Sequence, residues 1–117
     1  MKKDKIPTEL AIDLSGRSTC NVRVGCVIVD TEGRVVAWGW NHEGSDGLGE
    51  CAEAFAIKRA NRKRLVGASI YVFGQWGHSG NWVNAIPCMN CMALIRKYDL
   101  HYVYHSTKEG KWAHLTP

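Results

Sequence analysis

Two cysteines in Pro87-Cys88-Met89-Asn90-Cys91 have the spacing to hold one metal ion. On a helix, residues i and i+3 share a face, so both sulfurs can turn to one point. Pro87 suits the entry to a helix, where a missing N–H costs nothing. Thiolates at that end also gain from the unpaired backbone N–H groups and the helix dipole. A third thiolate would leave one tetrahedral position open, the mark of a catalytic zinc site. Cys51, in Cys51-Ala52-Glu53, is the natural candidate. Glu53 is then a carboxylate beside the metal that need not bind it. An open zinc position next to a carboxylate is equipment for activating water.

The elements must deliver this geometry. Residues two apart on an ideal helix lie about 200° around the axis from each other. Cys51 and Glu53 therefore converge only if Cys51 stands at the helix start, and Gly47-Leu48-Gly49-Glu50 permits that. The metal would then lie between the N-termini of two helices.

In chain order, Pro7–Leu14 reads as a short amphipathic helix stopped near Gly16. Asn21–Asp30, rich in Val and Ile, reads as a buried strand with Cys26 in the core. Thr31-Glu32-Gly33 turns the chain into a second strand, Arg34–Trp40, and completes a hairpin. Asn41–Glu50 reads as a polar, Gly-rich loop. Ala52, Phe55, Ala56 and Ala60 recur at helical spacing and predict one helix from Cys51 to about Leu65, ended by Gly67. Ala68–Phe73 is the third strand, Gly74–Ile86 a loop, Cys88 to about Tyr98 the second metal-binding helix, and His101–Ser106 the fourth strand. Lys108-Glu109-Gly110 then turns the chain into a fifth strand over Lys111–Leu115. A short turn joins only antiparallel neighbours, so the fifth strand is expected antiparallel to the fourth. The prediction is an α/β fold, a mixed five-stranded sheet with helices packed on it.

At 117 residues the chain is expected to be one domain, 1–117, large enough to bury a core without disulfides. With 45% apolar and 22% charged residues it has the balance of a soluble globular protein. No apolar run reaches the length of about 18 residues that spans a bilayer, so no membrane segment is expected. The basic start lacks an apolar signal core, so the expected location is cytoplasmic. Five cysteines in that setting read as free thiols and metal ligands. The net charge of +4 suits an anionic small substrate or weak nucleic-acid contact and decides neither.

A Cys ligand, a Glu two residues later and a distant Pro-Cys-x-x-Cys resemble the signature of the zinc-dependent cytidine deaminase superfamily, and the resemblance covers roughly residues 22–106. It implies the three-layer cytidine deaminase-like fold, one Zn²⁺ per chain held by Cys51, Cys88 and Cys91, and Glu53 as proton carrier. It also implies hydrolytic deamination of the cytosine of a free nucleoside or nucleotide, that is cytidine, deoxycytidine or deoxycytidylate, to uracil with release of ammonia. The Cys at the first zinc position and the closing hairpin resemble the free-nucleoside branch. That branch implies a homo-oligomer, dimer or tetramer. Its members commonly carry Arg directly after the catalytic Glu; here that position is Ala54, which leaves helix N–H groups, Arg23 or His78 to temper the thiolates.

In relatives an Asn placed like Asn41 bonds the substrate sugar, and capping of the strand-to-loop turn is the alternative for it. The backbone N–H of Ala52 and the carbonyl near Ile86 are expected at the pyrimidine edge. Trp76 or Trp82 is available either to stack on the base or to pack the loop onto the body. His78 is a candidate phosphate or metal contact, and Arg17 and Arg23 are further candidates for a phosphate-bearing substrate. A second reading is a polynucleotide deaminase, acting on cytidine or adenosine in single-stranded DNA or RNA. It draws on those tryptophans and on the basic stretch Lys58–Arg64, which is otherwise a solvated helix face. A third is a closed structural zinc site with Cys20 or His78 as fourth ligand. It leaves Glu53 beside Cys51 unexplained.

Overall fold

A computed structural model describes residues 5–43 and 49–117. Helix α1 spans Lys5–Ser15, followed by strands β1 (Val22–Val29) and β2 (Val35–Trp40) and the short strands β3 (His42–Glu43) and β4 (Gly49–Glu50). Helices α2 (Ala52–Arg59) and α3 (Arg62–Leu65) come next, then β5 (Ser69–Trp76), β6 (Trp82–Val83), α4 (Met89–Lys97), β7 (Tyr102–Ser106) and β8 (Trp112–Leu115). The five expected strands run in the order β2-β1-β5-β7-β8, and β6 adds a sixth by pairing with β5. β5 and β7 are parallel, and the other pairs are antiparallel, β7–β8 included. The sheet is therefore mixed, as expected. The middle of the expected polar loop, residues 44–48, lies outside the described residues. No helix among the described residues is long and apolar enough to cross a membrane.

Strand alternation divides the core in two. Cys26, Ile28, Ala37, Ile70, Val72 and Val103 face one way and pack with Ala52, Ala56 and Ile57 of α2 and Ile95 of α4. Val27, Val29, Tyr71 and Phe73 face the other way, against Ala11 and Leu14 of α1. Each fully buried Ile, Val or Phe contributes about 1.5–3 kcal/mol of transfer free energy. Helix α2 comes unusually close to the sheet at Gly39, where a Cβ would stand 2.7 Å from the Phe55 ring and 3.0 Å from the Ala52 carbonyl oxygen. That approach sets the height of the α2 N-terminus above the strands.

Three expectations on element bounds are corrected. The Asn41–Glu50 segment read as loop carries β3 and β4, which pair antiparallel through His42–Glu50 and Glu43–Gly49. The helix predicted over Cys51–Leu65 is two helices: α2 stops at Arg59, and Asn61 caps α3, its side chain accepting from the Lys63 N–H at 3.0 Å. A side chain that bonds its own backbone competes with helix continuation, and here it wins. The Gly74–Ile86 loop is partly strand. β5 runs on to Trp76 and folds back through residues 77–81 as β6, pairing Gly74 with Val83 and Gln75 with Trp82.

Candidate active site

Cys51 and Cys88 are the N-caps of α2 and α4, both with extended backbone (φ −69°, ψ 144° and φ −65°, ψ 170°). Each starts its helix through its carbonyl: Cys51 O accepts from Phe55 N–H at 3.0 Å and Cys88 O from Met92 N–H at 2.8 Å. Standing outside helical geometry, Cys51 escapes the angle that would keep it from Glu53. Cys91, in the first turn of α4, is buried. The three sulfurs lie within 4.8 Å of one another. A tetrahedral zinc with Zn–S bonds of about 2.3 Å needs sulfurs about 3.8 Å apart, so the set fits one such ion. Among the described residues no fourth His, Cys, Asp or Glu, Cys20 and His78 included, belongs to this group.

The electrostatics fit a cation as well. Burial pushes the Cys91 thiol far above its ordinary range, and the nearby Glu53 carboxylate adds to the rise. Burial also raises Cys51. Cys88 moves down, chiefly because the backbone N–H of Cys91 faces its sulfur, with the N–H of Asn90 helping. Helix N–H groups are thus the tempering donors found at Cys88. Glu53 is 6% exposed, and burial raises its carboxyl while its own backbone N–H partly offsets the rise. A dication placed among these groups reverses the penalty on each charged form.

A cleft of about 360 Å³ opens beside the cluster, within the size range of small-molecule sites. Cys51, Ala52, Glu53 and Cys88 line it together with Asn41, Val22, Val24, Val72 and the segment 83–86. Asn41 is largely committed to the scaffold. Its Oδ1 accepts from Val24 N–H and its Nδ2 donates to Val22 O, both at 2.8 Å. It therefore clamps the edge of β1 that walls the cleft, and one amide hydrogen remains for a ligand.

Trp76, Trp82 and His78 do not line the cleft. The register that pairs Trp82 with Gln75 turns its ring to the α1 face, where it meets Phe73 edge-on at 4.9 Å. Trp76 sits at the far end of β5 with its ring 5.6 Å from His78. Arg23 and Arg17 also leave the cleft. The Arg23 guanidinium lies against Gly77, and Arg17 lies 5.4 Å over Trp40. Within the basic stretch, Arg59 covers Phe55 and Trp38, Arg62 covers Tyr98, and Arg64 donates to Asp30 at 3.1 Å, so these cations serve the fold. Sequence reasoning gave no role to His42, which lines the cleft with its ring edge-on to Phe55 at 5.0 Å, nor to Val83, Asn84 and Ala85; of that wall it singled out only the carbonyl near Ile86. A His directly after Asn41 at a strand end was the one available signal for the former.

The profile of the family described as cytidine and deoxycytidylate deaminase zinc-binding region matches residues 1–107. Among solved structures, the chain is similar to a cytidine deaminase from Burkholderia pseudomallei, at 23% identity over 96% of this chain and 91% of that one, with a TM-score of 0.70. It is similar to a dCMP deaminase from the cyanophage S-TIM5 at 19% identity, over 91% of this chain and 83% of that one, with a TM-score of 0.69. It also matches Acinetobacter baumannii RibD at 25% identity over 91% of this chain but 28% of that one, with a TM-score of 0.64. The first two are likenesses of fold. No curated protein sequence matches significantly.

Proposed function

The chain belongs to the cytidine and deoxycytidylate deaminase zinc-binding family, a family of zinc-dependent deaminases, and from that premise we propose that it deaminates the cytosine of a free nucleoside or nucleotide: cytidine, deoxycytidine or deoxycytidylate. The observation that carries this reading is a triad of thiols at two helix N-termini, with buried Glu53 beside it at one side of a nucleoside-sized cleft.

Cys51, Cys88 and Cys91 would hold a zinc ion, which when bound would supply the Lewis acidity that lowers the pKa of a water towards neutrality. The Glu53 carboxylate accepts one proton of the attacking water and delivers it to ring N3, then takes the second from the new hydroxyl on C4 and passes it to the amine as the C4–N bond breaks. Cytosine and water thus become uracil and ammonia. The N–H of Ala52, among the α2 donors without an intrahelical partner, and the backbone carbonyl near Ile86 hold the polar edge of the base. The spare amide hydrogen of Asn41 points this reading to the sugar. We further assign this activity to one domain over 1–117 that works in the cytoplasm and self-associates as a dimer or tetramer. Exposed Trp38 supports a surface that a second copy covers.

The test is ammonia release by zinc-loaded protein offered cytidine, deoxycytidine, deoxycytidylate and a cytosine-containing single strand. Turnover of a free nucleoside or nucleotide is expected, and Glu53→Ala is expected to lose about 10²- to 10⁴-fold in rate at unchanged zinc content. Turnover of the strand alone would overturn the small-substrate assignment.

A further inference from the structure

One wall of the cleft hangs from a single buried side chain. β7 pairs with β5 only as far as Val72–His105; beyond that, β6 takes its place beside β5 at Gly74–Val83. Ser106, fully buried, ends β7 at this fork. Its hydroxyl accepts from Gly74 N–H and donates to Val83 O, both at 2.9 Å. Its backbone carbonyl accepts from Ala85 N–H at 3.0 Å. One residue thus satisfies groups on both sides of Asn84, in the wall that leads through Pro87 into Cys88. Gly74 supports the same wall from below. A Cβ there would stand 2.7 Å from Val83 Cγ2, 3.4 Å from Ala85 Cβ and 3.7 Å from Val24 Cγ2, all three residues lining the cleft.

We propose that Ser106, seated over Gly74, is the positioning residue that sets the Val83–Ile86 wall against the substrate. It touches neither the substrate nor the thiols. It acts through the backbone it holds, so its effect falls on substrate binding. The inference rests on the deaminase reading for what the wall contacts, while the latch itself is readable without turnover.

Ser106→Ala removes the buried hydroxyl that Gly74 N–H and Val83 O both bond, which weakens the wall. In zinc-loaded protein, amide exchange at Ala85 is expected to speed up at least about tenfold, with exchange in α2 and zinc content unchanged. KM is expected to rise about tenfold with kcat within about threefold of wild type, and Ser106→Thr, which keeps the hydroxyl, to restore most of both readouts. Unchanged exchange at Ala85, or a fall in kcat at constant KM, would overturn the proposal. If Ser106→Ala does not fold, Gly74→Ala decides: it pushes the same wall without removing a bond. A raised KM at constant zinc supports the latch, and an unchanged KM rejects it. Should no variant, wild type included, turn over cytosine substrates, the exchange at Ala85 still decides the latch while the deaminase reading fails separately.

Discussion

The two faces of the sheet are built from different materials. On the α2–α4 face the contacts are aliphatic: Ala37, Ala52, Ala56, Ala68 and Ala85 pack with Cys26 and with branched side chains such as Ile28, Ile70 and Ile95. On the α1 face they are aromatic: Tyr71 stacks on Tyr104 at 4.6 Å, and Phe73, Trp82 and Trp112 pack within 6.3 Å of one another. Small residues let two helix N-termini come down onto the strands and bring their cap thiols together. Large rings fill the face where α1 meets β1, β2 and β5 and the sheet continues towards β8. One face carries the thiol cluster and Glu53, and the other packs rings against α1.

That division can be broken from either side. The largest expected effect is Cys91→Ala, which removes the buried thiol shared by the metal cluster and the first turn of α4. Zinc stoichiometry and turnover are expected to fall together to background, and the melting temperature to drop. Retained zinc by elemental analysis would sink the ligand assignment. Next is Phe73→Ala on the aromatic face, 1% exposed. It is expected to cost about 3–5 kcal/mol in urea unfolding and leave zinc content and kcat near wild type. A selective loss of kcat would show that the faces are coupled.

The smallest effect concerns acid. Asp30 Oδ1 accepts from Glu32 and Arg34 N–H, both at 2.9 Å, and Oδ2 from Arg64. The Arg34 N–H foremost holds its carboxyl below the ordinary carboxylate range. A lowered folded-state pKa contributes stability above the ordinary value near 3.9 and loses it as pH falls through the folded value. Wild type is therefore expected to exceed Asp30→Asn in melting temperature at pH 6, and the gap to close on acidification towards pH 2. A gap independent of pH would place the effect in packing instead.

Much of this was legible in the chain because it is local. Cys88 and Cys91 share a helix face by spacing alone, and the need for Cys51 at a helix start followed from the angle between it and Glu53. The closing hairpin followed from the short turn before Trp112. The helix break at Asn61 was also local, an Asn able to accept from Lys63 N–H, but the apolar spacing across it ran on and concealed it.

Other features required the fold. Whether Trp82 faces the cleft or the aromatic core is a matter of strand parity, and parity was set by Gln75 pairing across the sheet. The same parity took Arg23 to the α1 face. The grip of Ser106 on Gly74, Val83 and Ala85 joins three stretches at the point where one strand replaces another. The sequence by itself determined the thiol cluster and its neighbouring carboxylate as candidates and most of the secondary structures that present them, because helix and strand periods are properties of short stretches. Only the tertiary structure decided which side chains meet across the cleft, because a one-residue slip in a distant pairing turns every side chain to the other face.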